Sequence, residues 1–143
     1  MKITETEALL YAIKQLSRAD TTSFQIRKKL EQKGFKKEEI KKVIKYLILK
    51  DYLNDRRYAA NVINKNIESG KKGPKLLYYE LRKKGVQKEI CKSLINELYT
   101  QETEIKAMKK LNLKMTNEKK KLIEKLRRRG FRLSSILMYA NSI

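Results

Sequence analysis

Residues 75–98, KLLYYELRKKGVQKEICKSLINEL, decide how this chain folds. They follow Gly73–Pro74, which contains the only proline of the sequence. Glycine suits a helix cap, and proline suits the first helical position because its missing N–H would be unbonded there anyway. Leu77 and Leu81 stand four apart and share one helix face. Gly85 is free to take the left-handed conformation that stops a helix. Val86 then supplies an apolar residue for the turn, and the apolar spacing of Cys91 and Leu94 starts a second helix.

The same frame occurs twice more. FQIRKKLEQKGFKKEEIKKVIKYL (24–47) and KKLIEKLRRRGFRLSSILMYANSI (120–143) align with it at offsets of 51 and 45 residues. Ile26, Leu77 and Leu122 then coincide, as do Leu30, Leu81 and Leu126. The turn residues Phe35, Val86 and Phe131 follow the aligned Gly34, Gly85 and Gly130. Beyond them Ile40, Cys91 and Ile136 coincide, and then Val43, Leu94 and Tyr139. Each pair is preceded by another helical stretch. ALLYAIKQL (8–16) has Leu9, Ile13 and Leu16 at helical spacing, and RRYAANVINKNI (56–67) has Tyr58, Ala59, Val62 and Ile63, with Asp55 placed to cap it. EIKAMKKLNL (104–113) is less regular. The pattern predicts an all-α chain of three tandem three-helix, helix-turn-helix-like repeats, covering 1–53, 54–100 and 101–143, with about nine helices and no sheet.

Composition agrees with this. The 143 residues are 41% apolar and 36% charged, the balance of a charged helical protein. No apolar run approaches the ~20 residues that span a bilayer, and MKITETEALL lacks the apolar core of a secretory signal. A lone Cys91 forms no internal disulfide, so a cytoplasmic location is expected. The formal charge is +20, rising from +5 over residues 1–55 through +7 over 56–100 to +8 over 101–143. That excess predicts attraction to a polyanion. Lysine-rich solvated helix faces would raise the charge too, but they do not explain why acids thin out toward one end.

Catalysis finds no support. Histidine, the commonest general base and metal ligand, is absent. Cys91 stands where the other two copies carry isoleucine, which reads as a small buried apolar residue. Glu38 and Glu39 complement a helix dipole, and SGKKGPK (69–75) lacks the order of a phosphate loop. No enzyme activity, cofactor or metal is expected.

Binding remains, with two readings. Leu30, Gly34 and Ile40 and their equivalents have the spacing of a DNA-binding helix-turn-helix, so a tandem helix-turn-helix protein acting on DNA by itself is one. The second helix of the first copy, however, mixes Lys with Glu where base readout calls for Arg, Asn or Gln.

The other comes from resemblance. YLNDRRYAANVI (52–63), KGPKLLYYELRKKGV (72–86) and KKKLIEKLRRRGF (119–131), in that order, resemble the RecX family, regulators of the bacterial recombinase RecA. The family's acid-x-x-aromatic-Ala element is matched by Asp55, Tyr58 and Ala59, with Asn54 where a first acid is usual. Its Gly-Pro element is matched by Gly73 and Pro74, its Leu-x-x-x-Gly element by Leu81 and Gly85, and its Arg-Arg-Gly-Phe element by Arg128, Arg129, Gly130 and Phe131. The resemblance implies tandem three-helix repeats in an elongated, curved array. It further implies a monomer that lodges in the groove of a RecA filament on single-stranded DNA and restrains filament growth, ATP hydrolysis and strand exchange. The residues expected to meet the filament or its DNA are the cations near the two later glycine frames: Lys71, Lys72, Lys75, Arg82 and Lys83, then Lys119, Lys120, Lys121, Arg127 and Arg128.

Overall fold

A computed structural model describes residues 3–111 and 119–142. Among them are nine helices and no strand, so the chain is all-α: α1 (Ile3–Arg18), α2 (Ser23–Gln32), α3 (Lys37–Leu49), α4 (Asp55–Ser69), α5 (Pro74–Lys83), α6 (Lys88–Leu98), α7 (Gln101–Lys110), α8 (Lys119–Arg128) and α9 (Leu133–Asn141). Residues 112 and 113, placed by the sequence at the end of the helix beginning at Glu104, and Ile143 of the third frame lie outside the described residues. Two compact units divide the chain. One runs up to Tyr58 and takes in the turn Lys84–Val86; the other comprises Ala59–Lys83 and the chain from Gln87 onward.

In the first unit α1, α2 and α3 enclose Ile26, Leu30, Ile40, Val43, Ile44, Leu47 and Leu53. Helix α1 departs from its sequence reading. Ala8 and Ala12 are fully buried, while Leu9 and Leu16 only flank the core and Ile13 is 42% exposed. Residues 8 and 12 lie one position, about 100° of helix, from 9 and 13. Small side chains let α1 lie close on the core, and that closeness outweighs the larger apolar area of the neighbouring stripe.

Helix ends follow local chemistry. Gln32, Lys33 and Gly34 close α2 as a Schellman motif: the Phe35 N–H donates to the Leu30 carbonyl and the Gly34 N–H to that of Glu31. The end of α8 repeats it through Phe131 to Leu126 and Gly130 to Arg127. Helix α3 ends in the same way, yet there Asp51 occupies the left-handed position with φ 61°. The cap of α4 is not Asp55. Asn54 accepts from the Arg57 N–H at 2.9 Å, whereas Asp55 accepts from the Ser23 backbone N–H at 2.8 Å and the Ser23 hydroxyl at 2.7 Å. An acid is drawn to the unpaired donors at the start of α2 because they carry the positive end of that helix.

The second unit buries Leu77 and Leu81 of α5, Cys91 and Leu94 of α6, Leu122 and Leu126 of α8, and Phe131, Ile136 and Tyr139 around the last turn and α9. Each buried leucine contributes roughly 1.5–3 kcal/mol. Cys91 is wholly buried, and desolvation pushes its thiol up, which suits packing rather than nucleophilic chemistry.

Candidate functional site

Helix α5 is positioned from its first residue. Pro74 opens it, and the Leu77 N–H bonds the Gly73 carbonyl at 3.1 Å. Gly73 lies directly on the turn between α8 and α9: its N–H donates to the Arg129 carbonyl at 2.7 Å, and the Lys75 N–H to the Gly130 carbonyl at 2.9 Å. A Cβ on Gly73 would fall 2.4 Å from the Gly130 carbonyl carbon, and one on Gly130 would fall 2.5 Å from the Leu76 backbone nitrogen. Bare backbone on both sides lets two unbonded donors at the head of α5 find carbonyls in a helix turn. The Gly-Pro and Gly-Phe motifs are therefore two halves of one joint.

A buried acid holds the rest. Glu104 of α7 is fully buried and accepts from the Arg132 backbone N–H at 2.6 Å, the Arg132 Nε at 2.9 Å and the Ser135 hydroxyl. It thereby satisfies donors at the start of α9 and pairs with a half-exposed guanidinium. Arg132 also donates to the Tyr99 carbonyl at 2.6 Å, and the Tyr99 hydroxyl donates to the Lys72 carbonyl at 2.9 Å. Burial first, and Glu104 second, push the Tyr99 phenol well above its ordinary range, so it stays a neutral donor. Sequence reading missed Glu104, which sits in the least regular of the helical stretches; nothing local marks it as buried.

The predicted cations divide into several sets. Lys71 is exposed and its carbonyl accepts from Arg129 at 3.3 Å, while Lys72 is half-buried and paired with Glu80 at 2.8 Å. Lys75 is exposed at the head of α5, with Arg82 and Lys83 exposed at its tail. Seven residues of helix separate Lys75 from Arg82 by roughly 10 Å, so these form a row and not a single cluster. Lys119, Lys120 and Lys121 are exposed in the first turn of α8, and Arg127 and Arg128 in its last. The helix dipole favours the arginines and opposes the lysines. Of the motif residues, Ala59, Gly73, Pro74, Leu81, Gly130 and Phe131 are buried, and Asp55, Tyr58 and Gly85 are half-buried.

Beside this row lies a cleft of about 360 Å³ between α5 and α6, lined by Pro74, Lys75, Tyr78 and Tyr79 on one side, by Lys92, Ile95 and Asn96 on the other, and by Arg132. Tyr79 is 65% exposed, with the Tyr78 ring edge-on at 5.7 Å. Lys92, Asn96 and the two tyrosines were not singled out by the sequence. The helical register does put Lys75 with Tyr79, and Lys92 with Asn96, one turn apart. No group of three or more His, Cys, Asp or Glu suited to a metal ion occurs among the described residues, and no helix there is long and apolar enough to cross a membrane.

Helix pairs closed by glycine turns, with exposed cations along α5 and α8, define an all-α protein built of small helical units. Residues 8–47 match the RecX first three-helix domain, and residues 54–93 the RecX second three-helix domain. Similar proteins include the regulatory protein RecX of Caldanaerobacter subterraneus subsp. tengcongensis, 33% identical over 133 residues that cover 91% of this chain and 67% of that one. That of Chlorobium limicola is 33% identical over 130 residues, covering 87% and 82%. In fold the chain is similar to the crystal structure of RecX from Lactobacillus salivarius, with a TM-score of 0.85 and 22% identity over 98% of both chains. This chain belongs to the RecX family of regulatory proteins.

Proposed function

We propose that this protein binds the RecA filament on single-stranded DNA and restrains its growth, ATP hydrolysis and strand exchange, acting as a cytoplasmic monomer without cofactor. Family membership across both matched domains is the observation that carries this reading. The chain is read with it as three repeats, 1–53, 54–100 and 101–143. The surface supports it physically: a net charge of +20 draws the protein to a DNA-bearing filament, and exposed cations lie along α5 and α8. Lys71, Lys72, Lys75, Arg82, Lys83, Lys119, Lys120, Lys121, Arg127 and Arg128 are the contacts proposed.

The test is ATP hydrolysis by RecA on single-stranded DNA with protein added well below one per protomer. A regulator that blocks growth acts on more than its own site, so hydrolysis should fall. No effect at equimolar protein would leave the tandem helix-turn-helix reading, in which DNA is bound without RecA. Reversing Arg127 and Arg128 to Glu should weaken the inhibition more than reversing Lys14 and Lys45, exposed cations of the less basic first third. Equal losses would mean a general field with no local contact.

A further inference from the structure

We infer that the cleft between α5 and α6 holds one nucleotide unit of a single-stranded nucleic acid, its base stacked on Tyr79 and its flanking phosphates paired with Lys75 and Lys92. The inference does not depend on the filament reading, since it concerns a ligand met directly by this chain.

Tyr79 contributes little to the core. It leaves 65% of its surface in water, and the Tyr78 ring beside it stands at an interplanar angle of 76°. An exposed flat ring at the mouth of a cleft offers a π-face that every base can use. One helical turn from it on α5 is Lys75, and across the cleft on α6 stand Lys92 and Asn96, themselves one turn apart. Each wall thus carries one cation and one planar polar or aromatic group. Neither lysine has an ion-pair partner among the described residues, unlike Lys72, which Glu80 neutralises. Asn96 offers both a donor and an acceptor to a base edge. Arg132 is a wall and not a free cation, because Glu104 and the Tyr99 carbonyl already hold its guanidinium. Pro74 and Ile95 supply apolar lining.

Size and internal comparison narrow the ligand. At about 360 Å³ the cleft is near the low end of the ~300–1,000 Å³ of small-ligand sites, room for one base and its sugar. The corresponding groove between α2 and α3 is lined by Arg27, Glu31, Lys37, Ile40 and Lys41. There Arg27 and Lys28 stand where Tyr78 and Tyr79 stand, and Lys41 where Lys92 stands. Only Lys92 keeps a cationic counterpart, since Lys75 aligns with Phe24, and neither tyrosine has an aromatic one. An acidic peptide would be served by the lysines alone and gives no reason for the exposed ring.

The experiment titrates the full chain, without RecA, into fluorescein-labelled oligothymidylate of about 8 nucleotides, within the ~4–16 that one binding fold commonly covers. Tyr79→Ala should weaken binding by about 5- to 150-fold, the range for losing one stacked base, and Tyr79→Phe should bind like the parent. Lys75→Gln with Lys92→Gln should flatten the log–log salt slope by about 1.4, since each lost phosphate contact removes about 0.7. The chain has no tryptophan but eight tyrosines, so the quenching by oligomer that is lost in Tyr79→Ala is the part that reports stacking on that ring. Displacement of the oligomer by thymidine monophosphate, dependent on Tyr79, would support the site with a free nucleotide as ligand; failure of the monophosphate to displace it would support the strand. Parent-like binding by Tyr79→Ala overturns the inference. So does a loss no greater than that of Lys28→Gln, or displacement by an oligoglutamate peptide that is indifferent to Tyr79. Tyr79 is exposed, so an unchanged melting curve keeps each outcome readable.

Discussion

The first glycine turn of the molecule and the two later ones share a sequence signature and a backbone but not a neighbourhood. Gly34, Gly85 and Gly130 have φ of 93°, 88° and 90°. Nothing lies within 4 Å of where a Cβ on Gly34 would stand, and the adjacent Phe35 is only half-buried, resting on Tyr11 with ring centroids 6.3 Å apart. At Gly85 the same Cβ would meet the Cβ of Phe24 at 2.1 Å, and the neighbouring Thr22 hydroxyl donates to the Lys84 carbonyl. At Gly130 it would meet the backbone of Leu76. Val86 and Phe131, the residues that follow, are buried. One turn is needed only for chain reversal, whereas the other two are also surfaces on which the head of an earlier helix rests.

That difference can be broken by substitution. Gly130→Ala should have the largest effect: a left-handed alanine costs roughly 1–2 kcal/mol, and displacing the Leu76 backbone adds roughly 1–3 kcal/mol of overpacking. Urea unfolding should show the whole loss, and a value equal to that of Gly34→Ala would mean that the joint yields freely. Gly85→Ala should come next, and it should be coupled to its neighbour. In a Phe24→Gly background the alanine should cost less, with a coupling energy of about 0.5–3 kcal/mol in a double-mutant cycle. Simple additivity would show that the ring does not bear on the turn.

Gly34→Ala should lose only the left-handed term, about 1–2 kcal/mol. The smallest change is expected at Asp51, where no glycine is present at all. Asp51→Gly removes a non-glycine residue from φ 61° but also removes the carboxylate that Asn54 and Arg57 hold below its ordinary value of 3.8. A depressed folded-state pKa means that the carboxylate's contribution is complete above the ordinary value and is lost as pH falls through the lower one. The melting midpoint of Asp51→Gly, relative to the parent, should therefore move upward on going from neutral pH to below that window. A pH-independent difference would show that the pairing contributes nothing.

The repeat frames were legible because their determinants lie close together in the chain. Leucines at i and i+4 mark a helix face, and a glycine where the chain must turn left-handed marks its end; Ile26, Leu77 and Leu122 and the aligned positions after them are buried, apart from the half-buried turn residue Phe35. The same rule failed on α1, where Leu9 and Ile13 were the better stripe by hydropathy and Ala8 and Ala12 by closeness of approach. It placed a cap at Asp55, one residue beyond Asn54, because either side chain has the chemistry and only the fold shows that Ser23 claims the acid. Of the cleft, Lys75 was visible as a cation on a helix. Lys92 and Asn96 were not, since their partners on α5 lie more than ten residues away and α6 meets them only after the Gly85 turn has formed.

The sequence by itself determined that the chain is helical, where most helices stop, that three glycines reverse it and that its surface is cationic. Those properties depend on backbone preferences and on side chains within one or two turns of each other. Only the tertiary structure decided which turns are covered, which lysine is neutralised and which tyrosine is left facing water. The Gly73 N–H and the Arg129 carbonyl are 56 residues apart in the chain, yet 2.7 Å apart in the fold. No local preference of either residue carries information about the other; their pairing follows from the requirement that each buried donor find an acceptor once the helices have packed.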